Sequence, residues 1–405
     1  MKILWLADFY PPFIGGLERH VQMIAVELAA RGHAVSVATV WHEGLSPFEL
    51  DEGVRVYRMR GAMQRVPFLS SNGHRIFHPT APDPFVVKSL GEIIEREKPE
   101  IVIASGWILY SFFPLKARSN AKLFVRHHDY AFICPKRTFF LNGEVCSGPG
   151  LYKCYACTAD HYGVPKGIAV NSSFQFFRRF HGLVDQHLPV SQYVADAIDP
   201  SHTLAQDSVH VIPAPVPDEI FAFKAKPVAS PEIPRGDFIL YVGALTETKG
   251  LNVLLDAYRG LEDRAGLVLI GTQWHDSPSS YPEGVTVIPD APHSLVMEAL
   301  SRCTFSVVPS LWAEPFGQVA VEAMAVGKPV IASAHGGLLD IVLHQRTGIL
   351  VEPGDPAKLK QAMLELLDDA ALRCELGMQG YAWAKGRFTR TQVTDQIEAR
   401  FMDAL

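Results

Sequence analysis

Residues 309–337 read PSLWAEPFGQVAVEAMAVGKPVIASAHGG, and the fold is decided here. A short apolar run, Phe305 to Val308, leads into the stretch, and a second, Pro329 to Ala332, precedes Gly336 and Gly337. Between them Phe316, Val319, Ala320, Ala323 and Met324 recur at helical spacing, so the middle is an amphipathic helix joining two buried strands. Glu314 stands before this helix and Glu322 within it. At 3.6 residues per turn, positions eight apart differ by about 80° and lie roughly 12 Å apart along the axis. The two carboxylates therefore cannot share a proton or a metal, but they can hold opposite ends of one elongated ligand. Gly317 at the helix start leaves bare N–H groups at the positive end of the dipole, which suits a phosphate.

Outward from this stretch the same strand–helix alternation continues. Lys2 to Asp8 reads as a strand, followed by a Gly15-Gly16 loop and a helix from about Leu17 to Arg31. Val35–Val40, Val54–Met59, Ile101–Ala104 and Ala121–Val125 read as further strands, the last running into Arg126-His127-His128-Asp129. Leu188–Ser191 and Val209–Pro213 read as the last strands of a first domain, and proline and alanine thicken from Pro213 to Pro234 as a linker. A second series opens with Phe238–Gly243, then a loop ending in Lys249 and Gly250 at a helix start, where an ammonium and free N–H groups can grip a pyrophosphate. This pattern predicts two doubly wound α/β domains, with ligands beyond the carboxyl ends of the strands.

The pattern P-S-x-x-x-E-P-F-G-x-x-x-x-E-A-M-A-x-G-x-P-V-I-A resembles the signature of the family 4 glycosyltransferases. The resemblance extends over most of the chain and leaves out about residues 130–165. It implies a retaining enzyme of the GT-B fold, using a nucleotide sugar: two Rossmann-like domains facing a central cleft, with a final helix crossing back to the first. On that basis the acceptor-side domain is expected over residues 1–225, with a Cys-rich insertion at 130–165. The nucleotide-sugar domain is expected over 226–385 and the returning helix over 386–405. The resemblance further implies that Glu322 holds ribose hydroxyls, Lys249 the phosphates and Glu314 a sugar hydroxyl. Backbone N–H groups near Phe316 and Gly317 would meet the sugar or its phosphate. The Gly15-Gly16 loop and Gly243 would line the donor site, and His128 would face the donor sugar, with His127 as a structural neighbour.

One departure stands out. The family writes the Lys249 loop G-R-L-x-x-x-K-G, whereas this chain has Gly243-Ala244-Leu245. The arginine that normally adds a second positive charge to the leaving diphosphate is Ala244. Arg126 and Arg137 are candidate replacements. Asp340, where glutamate is more usual, is a milder change.

Composition fits a protein with a sizeable core: 405 residues, nearly half of them apolar. A net charge of −6 argues against general nucleic-acid binding. No apolar run is long enough to span a bilayer, and Met1–Leu6 is too short for a secretory core, so a cytoplasmic protein is expected. The cluster Phe174, Phe176, Phe177, Arg178, Arg179 and Phe180 reads first as an amphipathic helix with aromatics inside, and otherwise as a peripheral membrane contact or a lipid-linked acceptor site. Catalysis is expected to need no cofactor. Four of the six cysteines, Cys134, Cys146, Cys154 and Cys157, fall within two dozen residues, and Cys154-x-x-Cys157 is a common half-site for tetrahedral thiolate ligation. A structural zinc is the first reading. Disulfides, unrelated buried thiols and an iron–sulfur cluster follow. Rival functions are a nucleotide-sugar epimerase or hydrolase on the same fold and a non-catalytic nucleotide-sugar binder. A nicotinamide dehydrogenase is disfavoured because no G-x-G-x-x-G follows a strand.

Overall fold

The computed structural model describes residues 1–13, 15–65, 76–201, 203–223 and 230–405. The expected domain boundary at 225/226 lies outside them. The chain divides into two compact units, one of Met1–Leu141, Cys146–Pro215 and Val393–Leu405, the other of Asn142–Val145 and Val216–Gln392.

The first unit is built on seven strands: β1 (Lys2–Ala7), β2 (Ala34–Val40), β3 (Phe48–Asp51), β4 (Val54–Met59), β5 (Ile101–Ser105), β6 (Lys122–His127) and, after the short β7 (Phe140–Leu141) and β8 (Glu144–Val145), β9 (Gln186–Pro189). Their order is β3-β4-β2-β1-β5-β6-β9, with only β3 antiparallel. Apart from Lys2 the residues of β1 are buried, as a strand covered by helices on both faces must be. The direction of winding reverses between β1 and β5.

The helix Arg390–Ala404 belongs to this unit through Val393, Ile397 and Phe401, one every four residues, all fully buried against Ile3, Trp5 and Ile24. The Phe401 ring meets Phe124 edge-on at 4.9 Å. Arg31 and His33 reach Glu398 at 2.8 and 2.6 Å. Burying each apolar side chain is worth about 1.5–3 kcal/mol, against about 0–1 for a partly solvated ion pair, so the apolar stripe holds the helix.

One sequence expectation is corrected here. Val209–Pro213 is not a strand: a single bridge joins Val209 to His187, and Pro213, Pro215 and Pro217 have no N–H to extend a ladder. Its carbonyls turn instead to the buried Arg126 guanidinium, which donates to Leu188, Ile212 and Pro213 O at 3.2, 2.5 and 2.7 Å. The cysteine-rich insertion runs into a helical hairpin, Leu151–Tyr162 and Val164–Phe177, turned at Gly163. A Cβ on Gly167 would lie 2.4 Å from Thr158 O, so only glycine lets the two helices approach. Of the aromatic cluster, Phe174 is buried, Phe177 and Phe180 pack on the core, and Phe176 stays half exposed under the Arg179 guanidinium at 3.4 Å.

The second unit repeats the plan with β10 (Phe238–Val242), β11 (Gly266–Ile270), β12 (Val285–Ile288), β13 (Phe305–Val308), β14 (Val330–Ser333) and β15 (Gly348–Val351). All are parallel, in the order β12-β11-β10-β13-β14-β15. Here the winding reverses between β10 and β13, and the expected helix lies at Gln318–Ala325. Among the described residues no helix is long and apolar enough to cross a membrane.

Candidate active site

In the second unit the reversal point gathers the residues singled out by sequence. Gly250, at φ +75°, ends the 3-10 turn Glu247–Lys249; a Cβ there would fall 1.8 Å from Pro309 O. This close approach seats the Lys249 turn against the end of β13, and Leu311 and Trp312 donate their N–H groups to Thr248 O at 3.0 and 2.9 Å. Lys249 Nζ then lies 2.6 Å from Glu314 Oε1 and 4.4 Å from the centre of the Trp312 ring. Gly336, at φ +62°, packs against the Glu314 backbone, where a Cβ would lie 2.6 Å from Glu314 O; Gly337 N–H donates to that oxygen. The side chains of Lys249 and Glu314 are only partly covered, at 26% and 13% exposure. A ligand can therefore reach them and exchange one partner for another.

Glu322 is set differently. It is buried within its helix, and both its bonds fall on Oε1, from His293 Nε2 at 3.0 Å and Gln318 Nε2 at 3.4 Å. That orients the carboxylate and leaves Oε2 outside both contacts. Gly317, at φ +124°, opens the helix, and a Cβ there would strike Leu338 at 2.6 Å. The Phe316 side chain is core, edge-on to Phe388 at 5.7 Å, so only its backbone can serve a ligand.

In the first unit the reversal point is also charged. Asp8 follows β1 and accepts the N–H groups of Ile108 and Trp107 at 2.9 and 3.1 Å. Burial pushes its carboxyl up to about 6, against the pull of Arg137 3.2 Å away. Arg137 also pairs with Asp129 at 2.7 Å and lies over the rings of Phe77 and Trp107. His128 follows β6 directly, with neither ring nitrogen hydrogen-bonded and its ring 5.7 Å from that of His20. Burial, with Arg126 nearby, holds it well below the ordinary histidine range, so it is neutral. His127 bonds His187 at 3.0 Å and is core. Gly15 is the extended N-cap of the helix Gly16–Ala30.

Neither arginine proposed for the role vacated at Ala244 is at liberty. Arg126 is 1% exposed and committed to three carbonyls, with burial pushing it down to about 9, and Arg137 is held by two carboxylates. Sequence reading missed Asp8 and His335. A carboxylate directly after the apolar run Ile3–Ala7 could have flagged Asp8. His335 Nε2 lies 2.9 Å from Ser310 O in the turn that carries Gly336, and nothing in the sequence ties it to Glu314. The four clustered cysteines carry free thiols and line one pocket. As placed, however, no three His, Cys, Asp or Glu side chains among the described residues converge on a metal position.

Comparison with known proteins agrees with this architecture. The family description "Glycosyltransferase Family 4" matches residues 14–220, and "Glycosyl transferases group 1" matches residues 224–383. The chain belongs to glycosyltransferase family 4 and is a transferase of the GT-B type. It is 27% identical over 393 residues to the uncharacterized glycosyltransferase MJ1607 of Methanocaldococcus jannaschii, covering 92% of this chain and 90% of that protein. A shorter match, 35% identical over 153 residues to MJ1178 of the same organism, spans 37% of this chain and 43% of that relative. Among solved structures the fold is similar to sucrose-phosphate synthase from Thermosynechococcus elongatus, at 20% identity and a TM-score of 0.73, covering 100% of this chain and 99% of that one. It is also similar to HepE of Anabaena in complex with UDP-glucose, at 18% identity and a TM-score of 0.67, with both chains fully covered.

Proposed function

We propose that the protein transfers a sugar from a nucleotide-diphosphate sugar to an acceptor hydroxyl with retention of anomeric configuration. The observation that carries this reading is the exchangeable Lys249–Glu314 pair at the point where the second sheet reverses, framed by glycines that keep its backbone open. On binding, Lys249 turns from Glu314 to the diphosphate, and Glu314, released, accepts a hydrogen bond from the sugar. Glu322 offers its remaining oxygen to the ribose hydroxyls, with His293 and Gln318 fixing its rotamer. Backbone N–H groups from Phe316 to the helix start, and the open backbone at Gly243, add donors without side-chain bulk. Bond cleavage leaves charge on the diphosphate, so preorganised positive groups matter more here than a strong base. The complex of HepE with UDP-glucose supports a nucleotide-sugar donor for a chain of this fold.

A thermal-shift screen of nucleoside diphosphates and their sugars tests the donor, because a ligand of the native state raises the melting temperature. NMR of the first-formed product with the donor so found then reads the anomeric configuration. An inverted linkage overturns the retaining assignment, and acceptor-independent release of free or epimerised sugar overturns transfer.

A further inference from the structure

Family membership leaves one feature of the first unit without a use. Cys134, Cys146, Cys154 and Cys157 come from a turn, a short hairpin and the first turns of a helix, yet all four thiols line a single pocket. The free space in it is about 20 Å³, room for one water-sized centre and so for one ion. The remaining wall is largely apolar, from residues such as Ile133, Phe139 and Leu141.

The loop's own backbone faces two of the sulfurs: Gly150 N–H lies 3.3 Å from Cys154 Sγ, and the Cys146 thiol donates to Gly148 O at 3.5 Å. The same loop is strained. Among the described residues seven non-glycine positions have positive φ, and three of them, Arg137, Phe139 and Asn142, lie between Cys134 and Cys146. Each left-handed residue costs of order 1–3 kcal/mol and persists where its surroundings over-determine it. Asn142 belongs to the two-residue Asn142-Gly143 turn between β7 and β8, which takes positive φ at both positions, so Arg137 and Phe139 are the two left to explain. A bond network through the sulfurs would account for them.

We propose that these four cysteines bind one zinc ion, which draws the sulfurs together by side-chain rotation and locks the loop 134–157. The ligand set is four thiolates, tetrahedral and closed, so the ion is structural and leaves no position for chemistry. Binding displaces the four thiol protons to solvent, and no electron moves. The consequence for the rest of the unit runs through Arg137, which lies three residues after Cys134. Its αL backbone is set by this loop and its guanidinium joins Asp8 and Asp129 at the end of β1. The metal therefore holds in place the charged group of the first unit's reversal point.

The test uses the full chain purified without added zinc. Elemental analysis is expected to find about one zinc per chain. Cys134→Ser and Cys157→Ser are each expected to lower it at least tenfold, and Cys374→Ser, exposed and outside the pocket, to leave it unchanged. Cobalt replacing zinc should give the thiolate charge-transfer and tetrahedral ligand-field bands, a readout that needs no variant to fold. Chelation of the wild-type chain should speed tryptic cleavage after Lys136, Arg137 and Lys153, and restored zinc should suppress it. Metal-free protein with four titratable thiols, a mass loss showing disulfides, or metal content unaffected by both serine variants would each overturn the proposal.

Discussion

The two units wind alike, yet they use charge at the reversal point in opposite ways. In the first, Asp8 is buried, and the partly covered Arg137 bonds both Asp8 and Asp129 while Asp8 also takes two backbone N–H groups. In the second, Lys249 and Glu314 are bound chiefly to each other and remain partly open. A network in which every partner is committed resists exchange, because breaking it leaves the buried Asp8 without its arginine away from water. A partly solvated pair separates at little cost, since such pairs are worth about 0–1 kcal/mol. The first cluster is thus built to persist and the second to be traded for a ligand.

The largest expected effect breaks this contrast on the side of the second unit. Lys249→Ala and Glu314→Gln should each lower the transfer rate at least about a hundredfold, since losing a preorganised charge contact costs about 2.7–4 kcal/mol of transition-state stabilisation. Melting temperatures should change little, and wild-type turnover by both variants would refute the roles assigned.

The next effect concerns stability in the first unit. The folded carboxyl of Asp8 keeps its proton up to about pH 6, whereas the ordinary value is 3.8, so through that window the folded chain binds more protons than the unfolded one. Stability then falls as pH rises from about 4 to 6, by about 3 kcal/mol for a shift of two units. Asp8→Asn has no such titration. The melting temperature of the wild type relative to Asp8→Asn should therefore decline from pH 4 to pH 7, and a gap that stays constant or widens would contradict the burial argument.

Smaller changes sharpen the picture at Glu322. Glu322→Gln is expected to raise the KM for donor about tenfold, or about 1.4 kcal/mol, with kcat less affected, as befits a contact made equally in ground and transition states. His293→Gln should do the same to a lesser degree, a few-fold, because it acts by orienting that carboxylate. An equal or larger effect on kcat in steady-state kinetics would place Glu322 at the reacting bond instead.

Sequence alone determined the alternation of buried strands and amphipathic helices, because a strand covered on both faces has to be apolar throughout and a helix has to repeat every 3.6 residues. It also marked the loops that need glycine. Gly250 and Gly336 stand where backbone approaches backbone too closely for a Cβ. The Lys249 and Glu314 motifs were legible as separate signals, but their 2.6 Å contact was not, since they stand 65 positions apart. Asp8 could be seen as a carboxylate after an apolar run, but its partners could not, because Trp107 and Ile108 lie 99 and 100 residues away. The prolines after Ile212 were visible, yet apolar Val209–Ile212 still read as a strand, because pattern cannot show that its carbonyls are claimed by Arg126. Periodicity records which face of an element is buried. Which charges meet at the ends of the strands is decided by the order in which the sheet is wound, and only the tertiary structure holds that.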